Sequence, residues 1–214
     1  MKLRVLADAE AVAGAAAAVV AEAQAAAGER FAICLAGGAT PLALYRLLAG
    51  RPLEWWRWHV FYGDERRVPL DDPRSNHGAA CAALLDRVPI PPGQVYPLVD
   101  ADQYEGLLRA FFGQAPDFDL LLLGMGDDGH TASLFPGSIA LHEEQRWVIA
   151  APEVVAGMSR LTLTLPALNA ARRTLFLVSG ESKRAALDRV RAGQPLPAAL
   201  VRDAEWLVDA AAAG

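Results

Sequence analysis

At 214 residues, 53% of them hydrophobic, the chain is long enough to bury a core, and one compact domain over residues 1–214 is expected. The apolar excess is largely alanine, 43 residues that tolerate exposure on helices. The alanine-rich stretch 11–21 is bounded by Glu10 and Glu22 and falls far short of the ~20 apolar residues a membrane span requires, so no membrane partner is expected. A formal net charge of −5 without a basic run argues against nucleic acid as the main partner, leaving a small molecule or another protein.

Residues 3–6 read as a first strand, and residues 9–27 as an alanine-rich helix closed by Gly28. A buried strand over 31–35 runs into Ala36-Gly37-Gly38-Ala39-Thr40-Pro41. Leu42, Leu44, Tyr45, Leu47 and Leu48 mark the next helix, with Pro41 in its first turn. A third strand over 58–62 leads into Gly63-Asp64-Glu65-Arg66, and Ser75-Asn76 reads as the cap of a helix reaching Leu85. Residues 89–97 form an irregular connection. A helix over 102–112 precedes the most apolar strand, 118–123, whose leucine run suits a sheet centre covered on both faces. Residues 146–150 and 161–165 read as strands, 166–170 as a short helix, and 174–178 as a further strand. Gly180-Glu181-Ser182-Lys183 then opens a helix through Val190, and 206–208 supplies the last strand. The alternation predicts an α/β, Rossmann-like, open and mostly parallel sheet flanked by helices.

Cys34 and Cys81 lie in apolar segments without metal-ligand spacing and read as small buried hydrophobes. The start, Met1-Lys2-Leu3-Arg4, is basic, but Asp8 and Glu10 interrupt any apolar core of a signal peptide, so a cytoplasmic setting is expected. Eighteen of the twenty basic residues are arginine, which leaves Lys2 and Lys183 as the lysines.

In open α/β sheets, ligands bind beyond the carboxyl ends of the strands. Four polar segments fall there: 37–40, 64–66, 124–133 and 180–183. Gly37, Gly38 and Thr40 at a helix start suit an anion, because small residues let backbone N–H groups approach a phosphate. A plain strand-to-helix turn would use the same residues, and the loop matches neither nucleotide fingerprint. The segment Gly124-Met125-Gly126-Asp127-Asp128-Gly129-His130 is more specific. Its glycines permit a sharp turn, His130 at the crest can take a proton from water, and Asp128 can orient the ring. The alternative is a loop histidine kept for structure; His59, His77 and His142 lack comparable surroundings.

Asp127, Asp128 and His130 are imaginable metal ligands, but no second histidine or cysteine completes a zinc shell, and no metal is expected. The chain lacks G-x-S-x-G and S-x-x-K, so hydrolysis would use activated water. Arg66, Arg160 and Lys183 each lie in or beside a strand-end segment and are candidates to neutralise a dianionic phosphate.

These residues resemble the 6-phosphogluconolactonase branch of the glucosamine-6-phosphate isomerase/6-phosphogluconolactonase superfamily, over nearly the whole chain. Ala36-Gly37-Gly38-Ala39-Thr40-Pro41 is similar to the family's S-G-G-S-T-P loop, with alanine in place of both serines. Asp64-Glu65-Arg66 with Val68-Pro69 and Ser75-Asn76 is similar to its D-E-R-x-V-P…S-N block. The run from Gly124 to Pro136 fits G-M-G-x-D-G-H-T-A-S-L-F-P. Ser159-Arg160-Leu161-Thr162, then Pro166 and Asn169, then Gly180 with Lys183, complete the order.

The resemblance implies hydrolysis of 6-phospho-D-glucono-1,5-lactone, a step of the oxidative pentose phosphate pathway, with no metal or organic cofactor. It implies His130 as the base and Asp128 as its support. Gly37, Gly38, Thr40, Asp64, Arg66, Arg160 and Lys183 would bind the sugar phosphate. Apart from the resemblance, a monomer or weak homo-oligomer is expected. An amino-sugar-phosphate isomerase/deaminase is the alternative enzyme, but residues 131–136 carry no glutamate of the kind its histidine turn usually has. A non-catalytic sugar-phosphate-binding module is the alternative outside catalysis.

Overall fold

The computed structural model describes residues 1–214. The first half of the chain forms β1 (Lys2–Leu6), α1 (Ala9–Ala26), β2 (Phe31–Leu35), α2 (Ala39–Leu48), β3 (Trp58–Tyr62), β4 (Asp64–Arg66), α3 (Asn76–Ala83) and α4 (Ala101–Phe112). The second half forms β5 (Leu120–Leu123), β6 (Val148–Val155), β7 (Met158–Leu163), α5 (Leu165–Leu168), β8 (Thr174–Val178), α6 (Arg184–Arg191), β9 (Glu205–Asp209) and α7 (Ala210–Ala213).

Six strands pair in the order β1-β9-β8-β5-β2-β3, all parallel. Every residue of β2, β5 and β8 is buried, as helices on both faces require. From β2 the chain moves outward to β3, whereas from β5 it moves the other way to β8. The neighbours β2 and β5 therefore flank the point where strand order reverses, which is where open α/β sheets leave a crevice.

Local chemistry sets the helix ends. The Asp8 carboxylate accepts from Ala11 N–H at 2.8 Å to start α1. Its other end departs from the expectation for Gly28: the helix stops at Ala26, Ala27 turns to an extended conformation, and Arg57 donates to the Ala27 carbonyl at 2.8 Å. Val12, Ala16, Val19, Val20 and Ala23 form the face that α1 buries.

The second sheet, β4-β7-β6, is antiparallel and gives the polar segment 64–66 a strand that the sequence did not predict. Asp64, Glu65 and Arg66 form a strand opposite Thr162, Leu161 and Arg160. A hairpin turn at Ala156 and Gly157, both at positive φ, joins β6 to β7 and places these strands at 148–155 and 158–163 rather than 146–150 and 161–165. Smaller shifts put the start of α2 at Ala39, the end of α3 at Ala83 and the start of β5 at Leu120. Within 89–97, Val95 bridges Val60. One continuous hydrophobic cluster includes Phe31, Phe61 and Leu122 from the first sheet and Val148, Leu161 and Leu163 from the second. No helix is long and apolar enough to cross a membrane.

Candidate active site

A cleft of about 290 Å³ opens where the chain leaves β2 and β5. Eight of the nine residues singled out from the sequence line it: Gly37, Gly38, Thr40, Asp64, Arg66, His130, Arg160 and Lys183. The ninth, Asp128, stands behind His130.

The first wall is the β2–α2 turn. Gly38 caps α2 at φ 106°, a conformation that favours glycine, and no side chain bonds to the first amides of the helix. Those amides and the positive end of the helix dipole are available to an anion. Gly37 has a different reason to lack a side chain, since a Cβ there would sit 2.0 Å from Asn76 Oδ1.

The second wall is the turn after β5. Gly126 N–H donates to the His130 carbonyl at 2.8 Å, Gly129 N–H donates to the Gly126 carbonyl at 3.0 Å, and Gly129 is at φ 87°. The His130 ring lies so close over Gly126 that a Cβ there would meet Nδ1 at 2.0 Å. Asp128 Oδ1 accepts from His130 N–H at 3.0 Å and lies 2.6 Å from Nδ1. Burial opposes ionisation of Asp128, but the His130 amide and imidazole outweigh it and hold its carboxyl below the usual range. An ionised carboxylate only accepts, which assigns the proton to Nδ1 and leaves Nε2 to take a proton from a water. The Phe135 ring packs against the imidazole at a centroid distance of 4.7 Å.

The third wall is the antiparallel sheet. Asp64 is only 7% exposed, and its carboxylate accepts from Ser133 Oγ at 2.6 Å and Asn76 Nδ2 at 3.0 Å, with Arg160 Nη1 at 3.9 Å. It ties the histidine turn to α3 and β7, so its carboxylate is engaged by the protein itself. Burial, reinforced by Arg66 and opposed by Asp64, holds the Arg160 guanidinium below the ordinary arginine value. Arg66 Nη1 donates to the Arg74 carbonyl at 2.5 Å. The Nε atoms of Arg66 and Arg160 are buried without a partner, leaving donors for a ligand.

Lys183 closes the cleft already engaged. Its Nζ donates to Asp127 Oδ1 at 2.5 Å, where Ser182 Oγ also donates at 3.0 Å. Those two bonds hold the Asp127 carboxyl below its usual value. Asp127 and Asp128 thus face different partners, and no cluster of three or more His, Cys, Asp or Glu side chains is gathered to hold a metal ion.

Three positions that line or support the cleft were not singled out from the sequence. Asn76, read as part of a helix cap and of the S-N pair but not as a site residue, contacts Asp64 and lines the cleft. Glu65, 2% exposed, accepts from Ser75 Oγ and from the amides of Arg66, Asn76 and His77, fixing the start of α3. Ser179 lines the cleft at the end of β8 with no motif to mark it. A separate recess at the amino ends of β2 and β5 contains no histidine, and its Arg172 is paired with Asp117 and Asp119.

The fold and cleft define an open α/β protein whose cleft, at a strand-order reversal, gathers uncapped helix amides and unpaired arginine donors beside a histidine contacted by an aspartate. The family model described as glucosamine-6-phosphate isomerases/6-phosphogluconolactonase matches residues 7–208. The 6-phosphogluconolactonase of Synechocystis sp. is 43% identical over 196 residues, covering 83% of this chain and 81% of its own. The Homo sapiens 6-phosphogluconolactonase is 42% identical over 208 residues, covering 86% and 80%. Among solved structures, the 6-phosphogluconolactonase of Thermotoga maritima superposes with a TM-score of 0.87 at 32% identity, covering 97% of this chain and 99% of that one. The chain belongs to the glucosamine-6-phosphate isomerase/6-phosphogluconolactonase family.

Proposed function

We propose that the chain hydrolyses 6-phospho-D-glucono-1,5-lactone to 6-phospho-D-gluconate, as the names of its relatives indicate for them. The observation that carries this reading is the 2.6 Å contact between Asp128 Oδ1 and Nδ1 of His130, whose ring lines the cleft. His130 Nε2 takes a proton from water as the water oxygen attacks the lactone carbonyl carbon. The bond from that carbon to the ring oxygen then breaks, and the imidazolium returns its proton to the departing oxygen. Asp128 holds the ring and stabilises the imidazolium. The α2 amides with Gly37, Gly38 and Thr40, together with Arg66, Arg160 and Lys183, hold the phosphate and the sugar. The unpaired Nε atoms of Arg66 and Arg160 and the uncapped start of α2 support that assignment, and Lys183, paired with Asp127, borders the same cleft. Asp64 acts through Arg160 and Ser133.

The isomerase/deaminase alternative is not favoured, since Thr131-Ala132-Ser133-Leu134-Phe135-Pro136 carries no carboxylate. The reading includes a cytoplasmic setting, supported by the free thiols of Cys34 and Cys81, and a monomer or weak homo-oligomer, which size-exclusion chromatography tests. Purified protein added to freshly generated lactone should release acid above the spontaneous rate. No excess rate refutes the lactonase reading, and ammonia release from glucosamine 6-phosphate would favour the deaminase.

A further inference from the structure

We propose that Ser179, at the carboxyl end of β8, supplies a second side-chain hydroxyl, beside that of Thr40, to the phosphate seat and is a further substrate-binding residue. Its Oγ is buried in the cleft without any hydrogen-bond partner. Buried hydroxyls are rarely left unpaired, and one that lines a ligand cleft is a donor waiting for an acceptor. Ser179 precedes Gly180, which is at φ 100° and whose N–H donates to both Asp209 carboxylate oxygens at 3.1 and 3.0 Å. That anchor fixes the turn carrying Ser179 and, four residues on, Lys183. Helix α2 packs against β8, so the uncapped α2 amides, the Ser179 hydroxyl and the Lys183 ammonium border one cleft.

Two features single out this serine. Along the β2–α2 turn, Ala36, Gly37, Gly38 and Ala39 offer no hydroxyl, so Thr40 is the one side-chain hydroxyl that loop brings to the cleft. Ser182, in the same turn as Lys183, already donates to Asp127. Ser179 supplies the donor that the alanines do not.

The kinetic part of the test rests on the lactonase reading; the binding part stands without it. Ser179→Ala and Ser179→Thr are compared with the unmodified chain in calorimetric titration with inorganic phosphate, in lactone kinetics and in thermal unfolding. For Ser179→Ala, the phosphate Kd and the lactone KM should rise roughly tenfold, the worth of one hydrogen bond to a charged acceptor, with kcat within about twofold. Ser179→Thr, which keeps the hydroxyl, should restore most of the affinity. The melting temperature of Ser179→Ala should be unchanged or higher, because no protein bond is lost. Phosphate affinity that falls in a chain lacking lactone hydrolysis would uphold Ser179 while refuting the lactonase reading. An unchanged phosphate Kd, a defect confined to kcat, a lowered melting temperature, or an unmodified chain that does not bind phosphate would each overturn the proposal.

Discussion

Arg66 and Arg160 stand directly opposite each other in the β4–β7 ladder, two cations on neighbouring strands at the edge of one cleft. Like charges so placed repel, and Asp64 balances only part of that charge. A bound dianion would relieve the repulsion, so inorganic phosphate should stabilise the fold. At ten times its Kd the gain is about 1.4 kcal/mol, or roughly 3–6 °C in melting temperature for a chain of this size. Chloride at matched ionic strength is the control, and an equal rise with chloride would contradict a phosphate site.

Asp128→Asn should preserve the fold, because half of its side chain is exposed, while loosening the imidazole and weakening the imidazolium. The expected result is a kcat lower by roughly 10- to 100-fold with KM little changed, a part of the 10²–10⁴ that a positioned base supplies. A raised KM at normal kcat would assign Asp128 to binding instead.

Two glycines should fail in different ways. Gly37→Ala puts a methyl group into Asn76 and disturbs the wall that carries Asp64 and Arg66, so KM should rise more than kcat falls. Gly126→Ala puts a methyl group against His130 Nδ1 and breaks its contact with Asp128, so kcat should collapse while phosphate binding persists. Steady-state kinetics with calorimetric phosphate titration separates the two, and identical defects would contradict the division of the cleft.

Glu105 gives a pH-dependent test away from the site. Burial opposes its charge, but Arg109, Arg146 and the Val148 amide outweigh that effect and hold its carboxyl below the usual value. A folded value lower than the unfolded one means the stabilisation is present above the ordinary glutamate range and is lost as pH falls through the depressed value. Glu105→Gln should therefore cost about 1–3 kcal/mol at neutral pH, with the two stability curves converging as pH falls below the ordinary glutamate range and through the depressed value. A gap that persists in acid would contradict an electrostatic origin.

The parallel core was legible because its signals are local. The apolar runs of β2, β5 and β8 declare buried strands, and the glycine segments after β2 and β5 declare turns at their carboxyl ends. Of the second sheet, β6 and β7 were legible in part, but β4 was not, because Asp64-Glu65-Arg66 shows no apolar alternation and becomes a strand only by pairing with β7, far along the chain. The same distance hid Lys183 behind Asp127 and Asp64 behind Ser133, since long-range pairing leaves no periodicity in either segment. Ser179 had no signal at all: a single serine at a strand end becomes informative only when its hydroxyl is found without a partner.

The central claim is that His130 moves the proton in lactone hydrolysis while other residues hold the phosphate. The most direct measurement compares the chain with His130→Ala on freshly generated 6-phosphogluconolactone, after calorimetry shows equal affinity for inorganic phosphate. His130→Ala should lower kcat by roughly 10²–10⁴, toward the spontaneous rate. Unchanged turnover in the folded, phosphate-binding variant would contradict it.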